Sequence, residues 1–364
     1  MKSDKIKVLY LINFAGKAGT EKYVENLIDY LPNNEFEAHL CYNIPGELSE
    51  KCEAKGIPCH RLSMKSPFDR KAVKSLSKLC IQEKIDVIHA QYPRENFIAL
   101  QAKKRLKSVK VVFTSHLTLY QNAVWKFFNK KLTPLNDAVI SVCREGEKIL
   151  IENKVDKSKI HVIYNGIDTS KIPPRDRSYL KGIADGDAVV GIALARLSPE
   201  KGLDFLIDSV FEAKKTLKRK LCILICGDGE MRESLQRHID EKELGDTIKL
   251  LGYRTDTAKL LCASDFAINC ASSNEALSFA LLESLGSSLP LVTTDVGGNR
   301  DLCEYGGKAG ICVSYGDTEA FASALKAVCE NDREREEMGR LARHKAENEF
   351  DLNSLLFETV KLYY

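Results

Sequence analysis

The chain has 364 residues, 44% hydrophobic and 29% charged, with a net charge of only +3. That length exceeds one ordinary core, so two domains are expected, and the composition is that of a soluble globular protein. No apolar stretch approaches the ~20 residues that span a bilayer, and Val8 to Ile12 is too short for a signal-peptide core, so a cytoplasmic location is expected.

Lys7 to Ile12 is a short run of strand formers ending in Asn13-Phe14-Ala15-Gly16-Lys17-Ala18-Gly19-Thr20. Tyr23, Val24, Leu27, Ile28 and Leu31 then recur at helical spacing, which predicts a helix from about Glu21 to Leu31. Gly16 and Gly19 permit a tight turn, and the following helix start would present N–H groups to an anion, although a plain strand-to-helix turn explains them as well. Strands are predicted at Glu37–Tyr42, Val87–Ala90, Lys110–Thr114 and Ala138–Val142, with helical segments between them. The alternation argues for a parallel sheet covered on both faces. His116 directly follows one of these strands, a position from which it could hydrogen-bond a substrate or serve only the fold.

Within this half, Trp125-Lys126-Phe127-Phe128-Asn129-Lys130-Lys131 sets aromatics beside cations. Such a helix can sit at a membrane surface, or it can pack Trp125 and Phe128 inward as an ordinary amphipathic helix. Charge is also uneven: residues 1–160 hold 28 Lys+Arg against 18 Asp+Glu, and the remainder hold 26 against 33. A basic first half suits an anionic membrane or a phosphate-bearing acceptor. With no aromatic-basic recognition module, nucleic acid is not an expected partner.

Residues 171–187 are rich in Pro, Gly and charge, as expected of a linker. The strand–helix pattern then restarts: strand Val189–Ala195, helix Leu203–Lys214, strand Leu221–Cys226, helix Met231–Lys242, strand Ile248–Leu251, helix Thr257–Cys262 and strand Phe266–Asn269. Arg196 and Lys201 share the loop after its first strand, and Gly202 leads into a helix. Two fixed cations at a helix start suit a diphosphate, though surface cations on a loop are the plainer reading. Cys226-Gly227-Asp228-Gly229 ends another strand and could be only a turn. The twelve Cys contain no C-x-x-C pair, so buried free thiols are expected and a structural zinc site is not.

Residues 275–283, Glu-Ala-Leu-Ser-Phe-Ala-Leu-Leu-Glu, place carboxylates at both ends of an apolar segment entering a helix. This arrangement suits the hydroxyls of a sugar, and a solvated Glu on a polar helix face is the competing reading. The tail, Asp351 to Tyr364, is again amphipathic and could pack on either domain.

In order and spacing, these pieces resemble glycosyltransferase family 4. The resemblance rests on Arg196-Leu197-Ser198-Pro199-Glu200-Lys201-Gly202, Ile163-Tyr164-Asn165-Gly166-Ile167-Asp168, Gly227-Asp228-Gly229, Leu251-Gly252-Tyr253, Glu275 to Glu283 and Thr294-Asp295-Val296-Gly297-Gly298. It runs from Gly16 to the C-terminal helix. It implies an α/β GT-B fold, with two Rossmann-like doubly wound domains facing a central cleft. Residues 1–170 would form an acceptor-side domain, 171–187 a linker, 188–345 a nucleotide-sugar domain, and 346–364 a helix crossing back to the first domain.

By the same resemblance, the protein would be a retaining, metal-independent hexosyltransferase using a UDP- or GDP-sugar, with no cofactor. Arg196 and Lys201 would bind the donor diphosphate, Glu283 the ribose and Glu275 the transferred sugar. Backbone near Phe279 and Ala280 would meet the distal phosphate or sugar, and backbone around Tyr253 would line the base. Gly19 would approach the phosphates, and His116 the sugar near its reacting carbon. The acceptor would be a glycan or lipid-linked glycan of cell-surface polysaccharide synthesis, with peripheral membrane contact. A nucleotide-sugar epimerase of this fold and a non-catalytic sugar-nucleotide-binding protein are the alternatives.

The chain departs from the family pattern in three places. Ala18 replaces a Gly, Ala276 replaces the Gly that usually follows the first carboxylate, and Gly297-Gly298-Asn299-Arg300-Asp301 carries a shorter acid and an extra cation. Asp185-Gly186-Asp187 looks like a metal-binding pair of acids but lies in the expected linker, so no metal role is assigned to it.

Overall fold

The computed structural model describes residues 5–364 except 107, 117, 274 and 305. The chain divides into two compact units. One takes the residues up to Asn165 together with Leu352–Tyr364, and the other is Gly166–Asp351.

The first unit is built on seven strands: β1 (Ile6–Phe14), β2 (Phe36–Ile44), β3 (Cys59–Arg61), β4 (Val87–Ala90), β5 (Lys110–Ser115), β6 (Ala138–Ser141) and β7 (Ile160–Val162). They pair in parallel in the order β3-β2-β1-β4-β5-β6-β7. In the centre, Leu9 stands opposite both His39 and Ile88. Val8 to Ile12 are fully buried, which is why β1 reads as an unbroken apolar run: helices cover both faces of the sheet. Helix Gly19–Tyr30 buries Tyr23, Val24, Leu27 and Ile28. It starts two residues ahead of the predicted Glu21, because the apolar stripe marks the buried face and not the first turn. The C-terminal helix Leu352–Lys361 belongs to this unit. Beyond it, Tyr363 is buried and its hydroxyl lies 2.7 Å from His89 Nδ1.

The second unit has six strands: β8 (Val189–Leu194), β9 (Leu221–Cys226), β10 (Ile248–Gly252), β11 (Phe266–Asn269), β12 (Leu291–Thr294) and β13 (Gly310–Val313). They too are parallel, in the order β10-β9-β8-β11-β12-β13. Helices Leu203–Lys214 and Thr318–Glu330 place Leu206, Ile207, Val210, Phe321, Leu325 and Val328 in one core with Ile223, Ile225 and Phe266 of the sheet. The stretch 171–187 is tied to this unit: Arg175 and Arg177 both donate to Asp265, which also accepts from the Val190 N–H.

Both sheets reverse direction of growth beside their first strand, between β1 and β4 and between β8 and β11. In a doubly wound sheet the crossovers diverge at such a point and leave a crevice beyond the carboxyl ends of the strands, where ligands bind. All twelve cysteines are free thiols, ten of them buried. Among the described residues, no helix is long and apolar enough to cross a membrane.

Candidate active site

The loops after β8 and β11 flank the switch point of the second unit, and they hold the predicted cations and the first carboxylate. After β8 the chain makes a short turn and a 3-10 segment, Pro199–Lys201, before helix Leu203–Lys214. Gly202 joins the two at φ +62°, and a Cβ there would stand 2.1 Å from the Cys270 carbonyl oxygen. Only glycine lets this loop lie against the end of β11. The consequence is a direct ion pair: Lys201 Nζ donates to Glu275 Oε2 at 2.7 Å, with both side chains largely buried. Backbone contacts reinforce the pairing of the loops, since the Ser272 N–H donates to the Glu200 carbonyl at 2.9 Å.

Arg196 is more exposed and is held in place. Its guanidinium donates to Glu200 Oε1 at 2.6 Å and to Ser198 Oγ at 3.3 Å, and Ser198 donates to the same Glu200 oxygen at 2.7 Å. The Ser198 hydroxyl and Arg196 hold the Glu200 carboxyl down at about 2. Sequence reading placed Arg196 and Lys201 here but gave Ser198 and Glu200 no role. Their signal lay inside the same Arg-Leu-Ser-Pro-Glu-Lys-Gly run.

Helix Phe279–Gly286 begins just beyond Glu275. Its N-cap, Ser278, makes no side-chain cap hydrogen bond, which leaves the Phe279 and Ala280 end available to a polar ligand. Glu283 sits half-buried one turn in. Ala276 is buried and does not have a positive φ, so its methyl group is accommodated where the family has Gly. Gly297 takes φ +60°, where a Cβ would stand 2.0 Å from the Glu275 carbonyl oxygen, and the Gly298 N–H donates to the Ala276 carbonyl at 2.5 Å. The turn after β12 thus props the Glu275 loop from behind. Arg300, the extra cation, is engaged by Asp295 at 2.6 Å and Glu304 at 3.0 Å. Tyr253 stands exposed at the end of β10, two strands from β8. The β8, β9 and β10 loops are laced together through Leu197 N–H to the Asp228 carbonyl and Gly227 N–H to the Gly252 carbonyl. Asp185 and Asp187 are not part of this set. They pair with Lys220, which precedes β9, at the opposite ends of the strands.

The first unit carries its own polar set beyond β1, β4 and β5. His116 Nε2 lies 2.9 Å from Gln91 Oε1, and the Tyr92 hydroxyl donates to Thr20 Oγ1 at 2.8 Å. The His116 ring meets Tyr23 edge-on with centroids 4.8 Å apart, and burial pushes the imidazole down to about 3. It is therefore neutral at physiological pH. Gly19, expected in the turn, instead opens the helix, and Glu21 lies buried in its first turn. Burial raises its carboxyl, an effect that the nearby backbone N–H groups of Glu21 itself, Ala18 and Gly16 partly oppose, and its Oε2 is buried without a hydrogen-bond partner. Glu21, Gln91 and Tyr92 were not predicted as site residues, because contacts between loops of distant strands leave no local pattern.

Helix Ala123–Leu132 of the same unit packs Trp125 against Phe68 and Phe97, and Phe128 against Phe68. Leu119, Tyr120, Val124 and Phe127 remain exposed, with Lys131 over the Phe127 ring.

Comparison with known proteins bears on the family and the fold. Residues 18–171 match the model described as Glycosyltransferase Family 4, and residues 181–345 match Glycosyl transferases group 1. The UDP-Gal:alpha-D-GlcNAc-diphosphoundecaprenol alpha-1,3-galactosyltransferase of Escherichia coli is 26% identical, covering 99% of this chain and 97% of that protein. The N-acetylgalactosamine-N,N'-diacetylbacillosaminyl-diphospho-undecaprenol 4-alpha-N-acetylgalactosaminyltransferase of Campylobacter jejuni is 27% identical, covering 91% and 92%. The crystal structure of Anabaena HepE in complex with UDP superposes with a TM-score of 0.86 at 20% identity, covering 98% of this chain and 99% of that one. With both halves matched by the two models and the whole chain following the GT-B fold, this chain belongs to the family 4-like, group 1 glycosyltransferases.

Proposed function

We propose that the protein is a retaining, metal-independent glycosyltransferase that moves a sugar from a UDP-sugar to a lipid-linked glycan during cell-surface glycan synthesis. The observation that carries this reading is the gathering of Lys201, Glu275 and the open N-terminus of helix Phe279–Gly286 at the β8/β11 switch point. Arg196 and Lys201 bind the diphosphate and neutralise the charge that grows on the leaving oxygen. They supply the countercharge that other transferases take from a divalent ion. The Phe279 and Ala280 N–H groups receive the distal phosphate, Glu283 the ribose hydroxyls and Glu275 the hydroxyls of the transferred sugar. Backbone beside Tyr253 lines the base. The acceptor enters on the face the donor leaves, and the departing phosphate takes its proton, so no carboxylate nucleophile is assigned. Gly19 is assigned to the donor phosphates, and His116 to the sugar near its reacting carbon.

UDP is chosen over GDP because the E. coli relative is named for UDP-Gal and HepE was crystallised with UDP. A lipid-linked acceptor is chosen because both named relatives act on diphosphoundecaprenol-linked sugars, and their α-linked products support retention. Leu119, Tyr120, Val124 and Phe127, beside Lys126, Lys130 and Lys131, would bring the enzyme to the anionic membrane surface where such an acceptor resides. Flotation with anionic vesicles at low salt should recover the protein, and failure to float rejects the membrane contact.

The test is a transfer assay with UDP-sugars and a diphosphoundecaprenol-linked sugar, followed by proton NMR of the new anomeric centre. Acceptor-dependent UDP release with an α-linked product is expected. Acceptor-independent conversion of the UDP-sugar into an epimer would favour the epimerase reading. Nucleotide binding with no turnover of any donor would favour a binding protein.

A further inference from the structure

The outer edge of the first unit's sheet holds a second cluster of ligating side chains, away from the strand ends. His39 lies in the middle of β2, His60 in the middle of β3, and Glu83 ends helix Arg70–Glu83. One ligand atom from each lies within 4.8 Å of the others. His39 Nδ1 and His60 Nε2 are 3.2 Å apart, with ring planes 7° from parallel. A tetrahedral zinc ion with Zn–N bonds of about 2.0–2.1 Å holds adjacent ligand atoms about 3.3–3.4 Å apart. The two nitrogens are therefore already spaced as one edge of such a site.

The surroundings select the right tautomer. His39 Nε2 lies 3.0 Å from Glu37 Oε1, and Glu37 is also held by Lys7 at 3.2 Å. An ionised carboxylate only accepts, so Nε2 carries the proton and Nδ1 turns its lone pair toward His60. A carboxylate behind a ligating histidine is the usual outer partner of a metal centre. His39 is almost wholly buried, so its ring is held in one orientation.

We propose that His39, His60 and Glu83 form a divalent transition-metal site, with zinc as the favoured ion and Glu37 as the outer carboxylate. Without metal, His60 Nε2–H donates to His39 Nδ1. On binding, that proton moves to His60 Nδ1, and both Nε2 of His60 and Nδ1 of His39 turn to the ion, with Glu83 as third ligand and water as fourth. The site would pin β3, a three-residue edge strand, and the end of helix Arg70–Glu83 to the body of the sheet. It uses no cysteine, so the missing C-x-x-C pattern does not bear on it, and it takes no part in sugar transfer.

The test uses the full, tag-free chain after chelator treatment, titrated with Zn²⁺ by calorimetry and with Co²⁺ by visible absorption. One equivalent of Co²⁺ should bind with the spectrum of a four-coordinate ion and without a thiolate charge-transfer band. His60→Ala and Glu83→Gln should each weaken binding by about tenfold or more, and Glu37→Gln by about 10–100-fold, the usual effect of losing an outer partner. Zn²⁺ should raise the melting temperature of the wild type and not of His60→Ala. Absence of one-to-one binding, a thiolate band, or an affinity unchanged in both His60→Ala and Glu83→Gln would overturn the proposal.

Discussion

Lys201 and Glu275 lie 74 positions apart in sequence and meet at 2.7 Å across the β8/β11 switch point. A cation assigned to the diphosphate and a carboxylate assigned to the sugar thus hold one another before any donor arrives. The pair keeps both side chains ordered in a partly buried place, where either alone would be costly.

Lys201→Ala should therefore do two things. It removes the proposed donor to the leaving diphosphate, a loss that typically costs about 10²–10³ in kcat. It also leaves Glu275 without its cation, so the melting temperature should fall. Lys201→Ala with unchanged kcat would remove Lys201 from the assigned machinery. Scanning calorimetry and steady-state assays read the two effects separately.

Acid stability should report the Glu200 arrangement. Its folded-state carboxyl is held at about 2, below the ordinary carboxylate value, by Ser198 and Arg196. A depressed carboxylate contributes stability above its unfolded pKa of about 4.3 and loses it as pH falls toward the folded value. Ser198→Ala and Arg196→Ala should reduce stability at pH 6 and flatten its loss between about pH 4.3 and 2, relative to wild type. Parallel curves for wild type and both variants would contradict this.

His116 and His89 should both be silent near the ordinary histidine range. Burial holds each at about 3. Transfer rate should show no ionisation near pH 6.5 from His116, whereas stability should fall as pH drops below about 6.5, because the unfolded chain binds protons these rings refuse. His116→Ala should lower kcat and leave the calorimetric affinity for UDP unchanged, since the proposed nucleotide contacts are assigned to the other unit. An NMR titration placing either ring near 6.5 would refute the assignment.

Tyr363→Phe tests the C-terminal tail. The Tyr363 hydroxyl is the partner of His89 Nδ1 at 2.7 Å, and His89 Nε2 is held by Thr114 Oγ1 at 2.7 Å, all buried. Removing one hydroxyl leaves a buried ring nitrogen unpaired, a cost of about 1–3 kcal/mol. Urea denaturation should show the loss. A change under half a kcal/mol, about the scatter of a surface substitution, would mean that the tail does not anchor there.

Ala276→Gly should alter the ratio of kcat/KM among UDP-sugars while UDP affinity stays constant. The residue follows the sugar-side carboxylate, is buried and has no positive φ, so glycine would loosen the Glu275 loop without new strain. Equal ratios for the two proteins would show that this methyl group does not face the sugar choice.

Much of the fold is legible because both sheets are covered on both faces. Continuous apolar runs such as Leu221–Cys226 and Val87–Ala90 can then be read directly as strands, and the restart at Val189 marks the second sheet. The strands β3 and β7 were not predicted. At three residues on the sheet edges they have no period to detect. Nor was β12 predicted, because Pro290 interrupts the apolar pattern just before Leu291. In the candidate site, Arg196, Lys201 and Glu275 were visible through the order of their loops. The Lys201–Glu275 contact itself and the Glu200 clamp on Arg196 were not, because each depends on loops that only the strand order and local backbone bring together.

The most direct test of the central claim is calorimetric titration of wild type and Lys201→Ala with UDP, GDP and ADP. Wild type should bind UDP, and Lys201→Ala should bind it about tenfold or more weakly, the loss expected of one charge-assisted hydrogen bond. Binding of no nucleoside diphosphate, or equal UDP affinity in both proteins, would contradict a donor diphosphate seated on Lys201.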